Sequence, residues 1–430
     1  MARTPVVDRR TLLVAGSAWL LVSGSPLQAA GTTGERLFAD VNRYAGFGQH
    51  RTGTTADVAT SRWIERRLAS SGMKVELRPF DIRLFEPTKC RVELEGERIV
   101  ETFPLWPPVV TPKGGLAARL AAAGQPGHLA VVRLPYAPNA SLLTPGYAEP
   151  IAAAVAAGAA AVIGITEGPT GEIIALNAVP DRFDWSVPVA LAAGKDGPSL
   201  VMGAERAQSA TLRQEGRFRH GAAYNIVASR RGIGRTIVVS TPTSGWFSCA
   251  GERGAGVALF LALAHWAATT IHSPLVFLAT SGHEIEGRGS EAVLDALPRP
   301  ADIAGWLHLG ANLAGADVTV RGERLHRHDR PFPQRGIRTS PSLLPMVARA
   351  FAGVQGYGSP QPVTRNSAVG DVAHYLDAGY EPIVGMVAAH PLHHTRLDLP
   401  QYATAPDLLA QLLTPLKRVL VAMAAQERPL

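Results

Sequence analysis

From Tyr224 onward the chain repeats one alternation, a short apolar run followed by an amphipathic stretch of helical period. The runs YNIVAS, RTIVVS, PLVFLAT, IAGWLHL and EPIVGMV read as strands, and GAGVALFLALAHWAATT, PSLLPMVARAFAG and APDLLAQLLTPLKRVLVAMAA read as helices. Strands that alternate with long helices argue an α/β fold, a mostly parallel sheet sandwiched between helical layers. In such folds ligands bind beyond the carboxyl ends of the strands. That rule says where to look for a site.

The earlier sections have a different texture. Residues 31–82 read as two helices, the second in TADVATSRWIERRLASSG with Thr and Asp start signals and a Gly stop, and then a strand, KVELRPFDI. Between about 87 and 218 short strands and turns dominate, with GHLAVVRLP, AAVIGIT and VPVALAA around the small-residue helix YAEPIAAAVAAGA. At 430 residues, 46% hydrophobic and 18% charged, the chain is long enough for two or three globular domains. Its formal charge of +7 comes from scattered basic residues without a consecutive block, which argues against a nucleic-acid partner. The densest basic stretch, RGERLHRHDRPFPQRGIR at 321–338, reads as a solvated loop or as a cleft rim favouring acidic ligands.

Residues 1–30 read as an export signal of twin-arginine type: Arg9-Arg10 precede the apolar segment LLVAGSAWLLV, and Ala29-Ala30 follow it. The expected location is periplasmic or secreted. The cleavage region LQAAG is only loosely of the A-x-A kind, so an ordinary secretory signal or an uncleaved anchor stays open. No later segment is apolar for long enough to predict a stable membrane span. Cys90 and Cys249 allow at most one disulfide.

At the carboxyl ends of the predicted strands the polar residues gather in four places. After RTIVVS come Thr241, Thr243 and Ser244, with Glu252 at the start of the next helix; after PLVFLAT come His283 and Glu284. Gly310 follows GWLHL, and the loop after EPIVGMV carries His390, His393, His394 and Asp398. Three remote segments thereby place Glu252, Glu284 and His394 on one rim.

Five stretches carry a family resemblance: TPT at 241–243, ERGAG at 252–256, HEIEGRGS at 283–290, HLGAN at 308–312 and HHTRLD at 393–398. Together they resemble the co-catalytic di-zinc aminopeptidases, whose fold is shared with glutaminyl cyclases and the transferrin-receptor ectodomain. GDVAHYLDAGYEP, from 370, resembles the Ser-Asp-His-x-x-Phe element preceding the family's last ligand. The resemblance covers 31–86 and 219–430, while 87–218 looks like an inserted, smaller β-rich protease-associated domain.

Carried over position by position, the resemblance implies a damaged metal centre. The first zinc-binding His falls on Thr241, its orienting Asp on Thr243 and a ligand Asp on Gly310, none of which replaces what is lost. The bridging carboxylate falls on Glu252, the second Glu of the pair is Glu284, and the last His is His394. These three imply one remaining metal site, suited to a single zinc ion with a water at the fourth position. Glutaminyl cyclases work with one zinc on the same positions. The general-base Glu falls on His283, which could accept a proton at neutral pH or could simply fill space at a strand end. Arg253, beside Glu252, could instead claim it as an ion pair.

Other residues have competing readings. Cys249 could be a nucleophile or a core thiol; His308 could supply a lost ligand or sit satisfied in the core; His265 and His272 read as bland. Two functions follow. One is an exported aminopeptidase-like hydrolase acting on a peptide or amide substrate through one metal. The other is a non-catalytic binding protein on a peptidase scaffold that has lost its metal centre.

Overall fold

The structure, a computed structural model, describes residues 31–425 other than 97, 184, 322 and 323. The proposed export signal, 1–30, lies outside the described residues. In chain order the strands are β1 (Lys74–Leu94), β2 (Ile99–Pro104), β3 (Leu116–Ala122), β4 (Leu129–Leu134), β5 (Ala161–Thr166), β6 (Val189–Ala193), β7 (Ser209–Arg230), β8 (Thr236–Pro242), β9 (Leu275–Thr280), β10 (Ile303–Leu309), β11 (Ala316–Arg321), β12 (Arg324–Pro331), β13 (Arg335–Thr339), β14 (Gln361–Pro362) and β15 (Ile383–Ala388). The helices are α1 (Thr33–Ala45), α2 (Thr55–Ser70), α3 (Ala148–Ala156), α4 (Gly197–Glu205), α5 (Ala255–Thr270), α6 (Arg288–Glu291), α7 (Leu344–Ala350), α8 (Asp371–Asp377), α9 (Pro400–Ala403) and α10 (Pro406–Ala425).

All five apolar runs of the last section lie in strands. β9, β8, β10 and β15 are successive neighbours and run parallel, so their carboxyl ends share one edge. The first three are buried along their whole length, which is why they read as unbroken apolar runs. On one face α1, α5 and α10 pack Val41, Phe260, Leu263, Leu412 and Leu416 against Phe277 and Leu307 of the sheet. On the other, Tyr375 and Leu376 of α8 cover Val238 and Trp306. The expected α/β sandwich is the architecture found.

Thirteen strands form one mixed sheet, ordered β1-β2-β6-β5-β4-β3-β7-β9-β8-β10-β15-β13-β14, and β11 pairs with β12 in a separate hairpin. A long ribbon of β1 and β7 closes the run β1-β2-β6-β5-β4-β3-β7 on itself, antiparallel from Lys74 opposite Ser229 to Leu94 opposite Ala210. Its register shifts between Pro87 and Lys89, where proline brings no N–H to the ladder. Glu86 bridges Arg217 and Arg219 across the ribbon, and Glu93 bridges Arg91 and Arg213. Sequence reading finds only one end of this ribbon, 74–82 and 224–229, because the rest is half exposed and its charges mask the alternation. Beyond it, β2 to β6 with α3 and α4 bury their own side chains, among them Leu120, Leu129, Ile163 and Leu200.

Two expectations change. The basic stretch 321–338 is not a loop: it forms β12 and part of β13, and its Arg338 lines the cleft described below. Among the described residues one helix, α10, is long and apolar enough by composition to cross a membrane, contrary to the expectation that no later segment would be. Its buried face is nonetheless spent on the core, through Leu409, Leu412, Leu416 and Leu420.

Candidate metal centre and active-site cleft

The turn between β8 and α5 presents Glu252. Residues 250–254 form a π-turn, with Arg253 N and Gly254 N both donating to the Cys249 carbonyl. Asp398 holds this turn open, accepting from Gly251 N at 2.7 Å and Glu252 N at 3.0 Å. π-Turns concentrate at functional sites. Cys249, Asn312 and His394, all in the walls of this region, have positive φ of 49°, 56° and 58°, a conformation costly for residues other than Gly.

Around Glu252, which is 1% exposed, three basic side chains converge. Arg253 Nη2 lies 2.8 Å from Oε1, His394 Nε2 lies 3.2 Å from the same oxygen, and His393 Nδ1 lies 3.9 Å from Oε2. Burial alone would raise the Glu252 carboxyl, but Arg253, then His394 and His393, hold it well below the usual range. These approaches are close in distance yet poorly aligned: both Glu252 oxygens, Arg253 Nη2 and His394 Nε2 lack a hydrogen bond of good geometry. Arg253 is anchored by its Nε, which donates to the Ser244 carbonyl at 3.0 Å.

The His394 ring gives a test of whether a cation suits this place. Its Nδ1 is 2.8 Å from the Ala175 carbonyl, which can only accept, so Nδ1 carries the hydrogen and the neutral ring turns a bare Nε2 toward Glu252. Two lone pairs 3.2 Å apart repel unless a proton or a metal ion lies between them. Ligands at about 2.0 Å from a tetrahedral zinc stand about 3.3 Å from one another, close to that separation. Among the described residues, Glu252, His393 and His394 form the group whose ligand atoms all lie within 4.8 Å of one another. Their mixed carboxylate and imidazole chemistry fits zinc. A carbonyl fixing the far side of a ligand imidazole is the usual outer support of such sites.

Of the residues expected there, the structure brings Glu252 and His394 together, and Glu284 stands outside the group. Its Oε1 accepts from Thr52 N at 2.6 Å and Thr52 Oγ1 at 2.7 Å, and its Oε2 from Ser244 Oγ at 2.7 Å. With both oxygens occupied, Glu284 is a structural strut; the third member of the group is His393, whose Nδ1 also lies 3.2 Å from Asn312 Nδ2. The ion pair of Glu252 with Arg253, weighed as an alternative to metal, is present beside the imidazole contacts. Thr241 and Thr243 turn their hydroxyls to the carbonyls of Leu309 and Thr280, and Gly310 has no side chain. These three positions offer neither a carboxylate nor an imidazole.

Glu284 belongs to a buried polar knot that makes a pH prediction. Asp57 accepts from Gly53 N at 2.8 Å and Ser281 Oγ at 2.9 Å, and burial pushes its carboxyl up to about 7 against the opposing Gly53 N–H. A carboxyl raised on folding contributes stability that is complete below about pH 4 and lost as pH rises through about 7. The wild type should therefore lose stability relative to Asp57→Asn between about pH 4 and 7, by up to about 1.4 kcal/mol per pH unit. Urea melts with the same pH slope in both proteins would rule this out.

His283 follows β9 and sits at a cleft of about 580 Å³. Its Nδ1 is 3.1 Å from Asp371 Oδ1 at the first residue of α8. Burial would raise Asp371, but His283 beside it and the more distant His308 and Arg253 keep it below the usual carboxylate range. An ionised Asp371 orients the imidazole and leaves Nε2 for proton transfer. Arg253, His308 and His393 line the same cleft, whose walls are apolar through Leu143, Val179, Val363, Val369 and Met386.

The remaining candidates resolve by their contacts. Cys249 is buried, and burial together with Glu252 raises its thiol far above neutrality, the opposite of an activated nucleophile; Cys90 and Cys249 are both free. His390 is satisfied on both nitrogens, by the Ala316 carbonyl and Leu392 N–H. His308 contacts Ser240 Oγ at 2.8 Å, and burial lowers it to about 4. Sequence reasoning missed Asp371 and Arg253 as a cleft group, and it placed His393 on the rim without assigning it to the group around Glu252. The signals were Asp371 within GDVAHYLDAGYEP and the adjacency of His393 to His394.

Solved structures with this arrangement of elements exist. A zinc aminopeptidase from Bacillus subtilis superposes with a TM-score of 0.70 at 16% identity, covering 93% of this chain and 96% of that one. A peptidase M28 precursor from Shewanella amazonensis gives 0.71 at 17% identity, with 93% and 96% covered. An aminopeptidase from Aneurinibacillus sp. strain AM-1 gives 0.62 at 16% identity, with 92% and 96% covered. The fold is that of the zinc exopeptidases. At these identities the likeness is one of fold. No family model matches the sequence, and no curated protein matches it either.

Proposed function

We propose that this protein is an exported aminopeptidase-like hydrolase of peptide or amide bonds that works with one metal ion. The observation that carries the reading is that an oriented base, His283 on Asp371, shares one cleft with Arg253 and His393 at the Glu252 cluster. Glu252, His393 and His394 would hold the ion, zinc by its ligand chemistry, which when bound supplies Lewis acidity toward a carbonyl or a water. His283 Nε2 takes the proton of a water attacking the amide carbonyl. As the C–N bond breaks, His283 returns that proton to the leaving nitrogen. The apolar walls suit an uncharged side chain beside the scissile bond.

Export rests on the pattern at Arg9-Arg10 and the apolar segment after it. Residues 87–218 act in this reading as a protease-associated-like insertion that completes the site. Ala175 donates to the His394 carbonyl at 3.0 Å and accepts from His394 Nδ1, while Asn177 and Leu143 line the cleft.

A binding protein on a peptidase scaffold is the second reading, favoured by the Arg253 ion pair that already neutralises Glu252. The two separate cleanly. The hydrolase reading expects about one equivalent of zinc in protein purified without chelator, its loss in His394→Ala, and turnover of at least one member of an aminoacyl-amide panel. Protein with neither metal nor turnover would leave only the binding role.

A further inference from the structure

Glu252 Oε1 faces two partners at once, Arg253 Nη2 at 2.8 Å and His394 Nε2 at 3.2 Å. The imidazole side is where the cation test above places positive charge. On the other side the charge is already present, as a fully buried guanidinium. That guanidinium lines the cleft with Gly310, the position left without a ligand side chain. Arg253 Nη2 is enclosed against Glu252 and has no well-aligned hydrogen bond, so it keeps a donor hydrogen without a good acceptor. Nearby, Asp371 adds to the negative charge that it faces.

We propose that Arg253 is a resident cation standing where a second metal would stand, so that Glu252 bridges one guanidinium and one metal ion, and that Arg253 Nη2 donates to the carbonyl oxygen of the substrate. Arginine suits this role because its charge is permanent, planar and weakly hydrated, and can be buried beside a carboxylate without titrating. The oxygen that becomes negative as water adds to the carbonyl then meets a preorganised donor in a water-poor cleft. The catalytic half of the proposal rests on the hydrolase reading; the electrostatic half does not.

Zinc titration of the chelator-treated full chain, read by calorimetry, tests the electrostatic half without turnover. The wild type should take no more than one equivalent. Arg253→Met, relieved of like-charge repulsion, should bind zinc at least about tenfold more tightly, whereas Arg253→Lys, which keeps the charge, should bind like the wild type. A second equivalent in the wild type, or tightening in Arg253→Lys equal to that in Arg253→Met, would overturn the proposal. If Arg253→Met does not fold, Arg253→Gln, neutral but polar, takes its place in the same comparison with Arg253→Lys.

For the catalytic half, Arg253→Ala loaded with zinc should lose about 10²- to 10³-fold in kcat with little change in KM. Guanidinium chloride at sub-denaturing concentration should restore part of that loss. An unchanged kcat would refute the donor role. Should the wild type turn over nothing while the affinity shift is seen, the hydrolase reading fails and the resident cation stands.

Discussion

Replacing His283 by Ala is expected to lower kcat by about 10²- to 10⁴-fold on any substrate that the protein cleaves, with zinc content unchanged. His283 is outside the ligand group, so loss of activity with loss of metal would point to a structural role instead. Asp371→Asn should fall in the same direction by a smaller factor. Asparagine fits the same space but cannot stabilise a positively charged imidazole, and an amide N–H turned to Nδ1 would force the wrong tautomer. Single-turnover assays on both variants, alongside thermal melts, separate these effects. If His283→Ala stays within threefold of the wild type, His283 is a space-filling residue at a strand end and the general-base assignment is lost.

The second large effect concerns stability. Glu252→Ala would leave Arg253 buried with its principal counter-charge removed, and breaking a buried pair from one side costs about 3–5 kcal/mol. A matched apolar replacement of both partners, Glu252→Leu with Arg253→Met, should recover most of that loss, since desolvation of the two charges is avoided together. Denaturant unfolding of the chelator-treated full chain would show this as a fall in midpoint for the single variant and its recovery in the double. If the single variant is as stable as the wild type, the pair is not the buried, tightly coupled unit described here, and the resident-cation proposal weakens with it.

These effects explain why the site was half legible. Positions at the carboxyl ends of β8, β9 and β15 were readable because each strand is an apolar run with a sharp end, and parallel strands bring those ends to one edge. Which side chains meet there depended on loop geometry. Two consecutive residues after β9 diverge, His283 to Asp371 and Glu284 to Thr52 and Ser244. The partner that occupies Glu284 comes from the loop between α1 and α2, more than 200 residues away in sequence. His393 and His394 are stacked, their ring centroids 3.9 Å apart, so both reach Glu252 although the motif match had singled out only His394.

By itself the sequence determined the α/β sandwich, since unbroken apolar strands alternating with amphipathic helices have few other ways to bury their surface. The motif resemblance further implied that Thr241, Thr243 and Gly310 stand where a relative would carry ligands, because a residue's type needs no geometry to be read. Tertiary structure alone decided that Glu284 is a strut, that Asp371 steers His283, that the β1 and β7 ribbon carries one sheet through the molecule, and that Arg253 lies against Glu252. The reason is physical: hydrophobic periodicity is written locally, whereas the direction of a buried polar side chain is set by whichever distant donor or charge desolvation forces it to find.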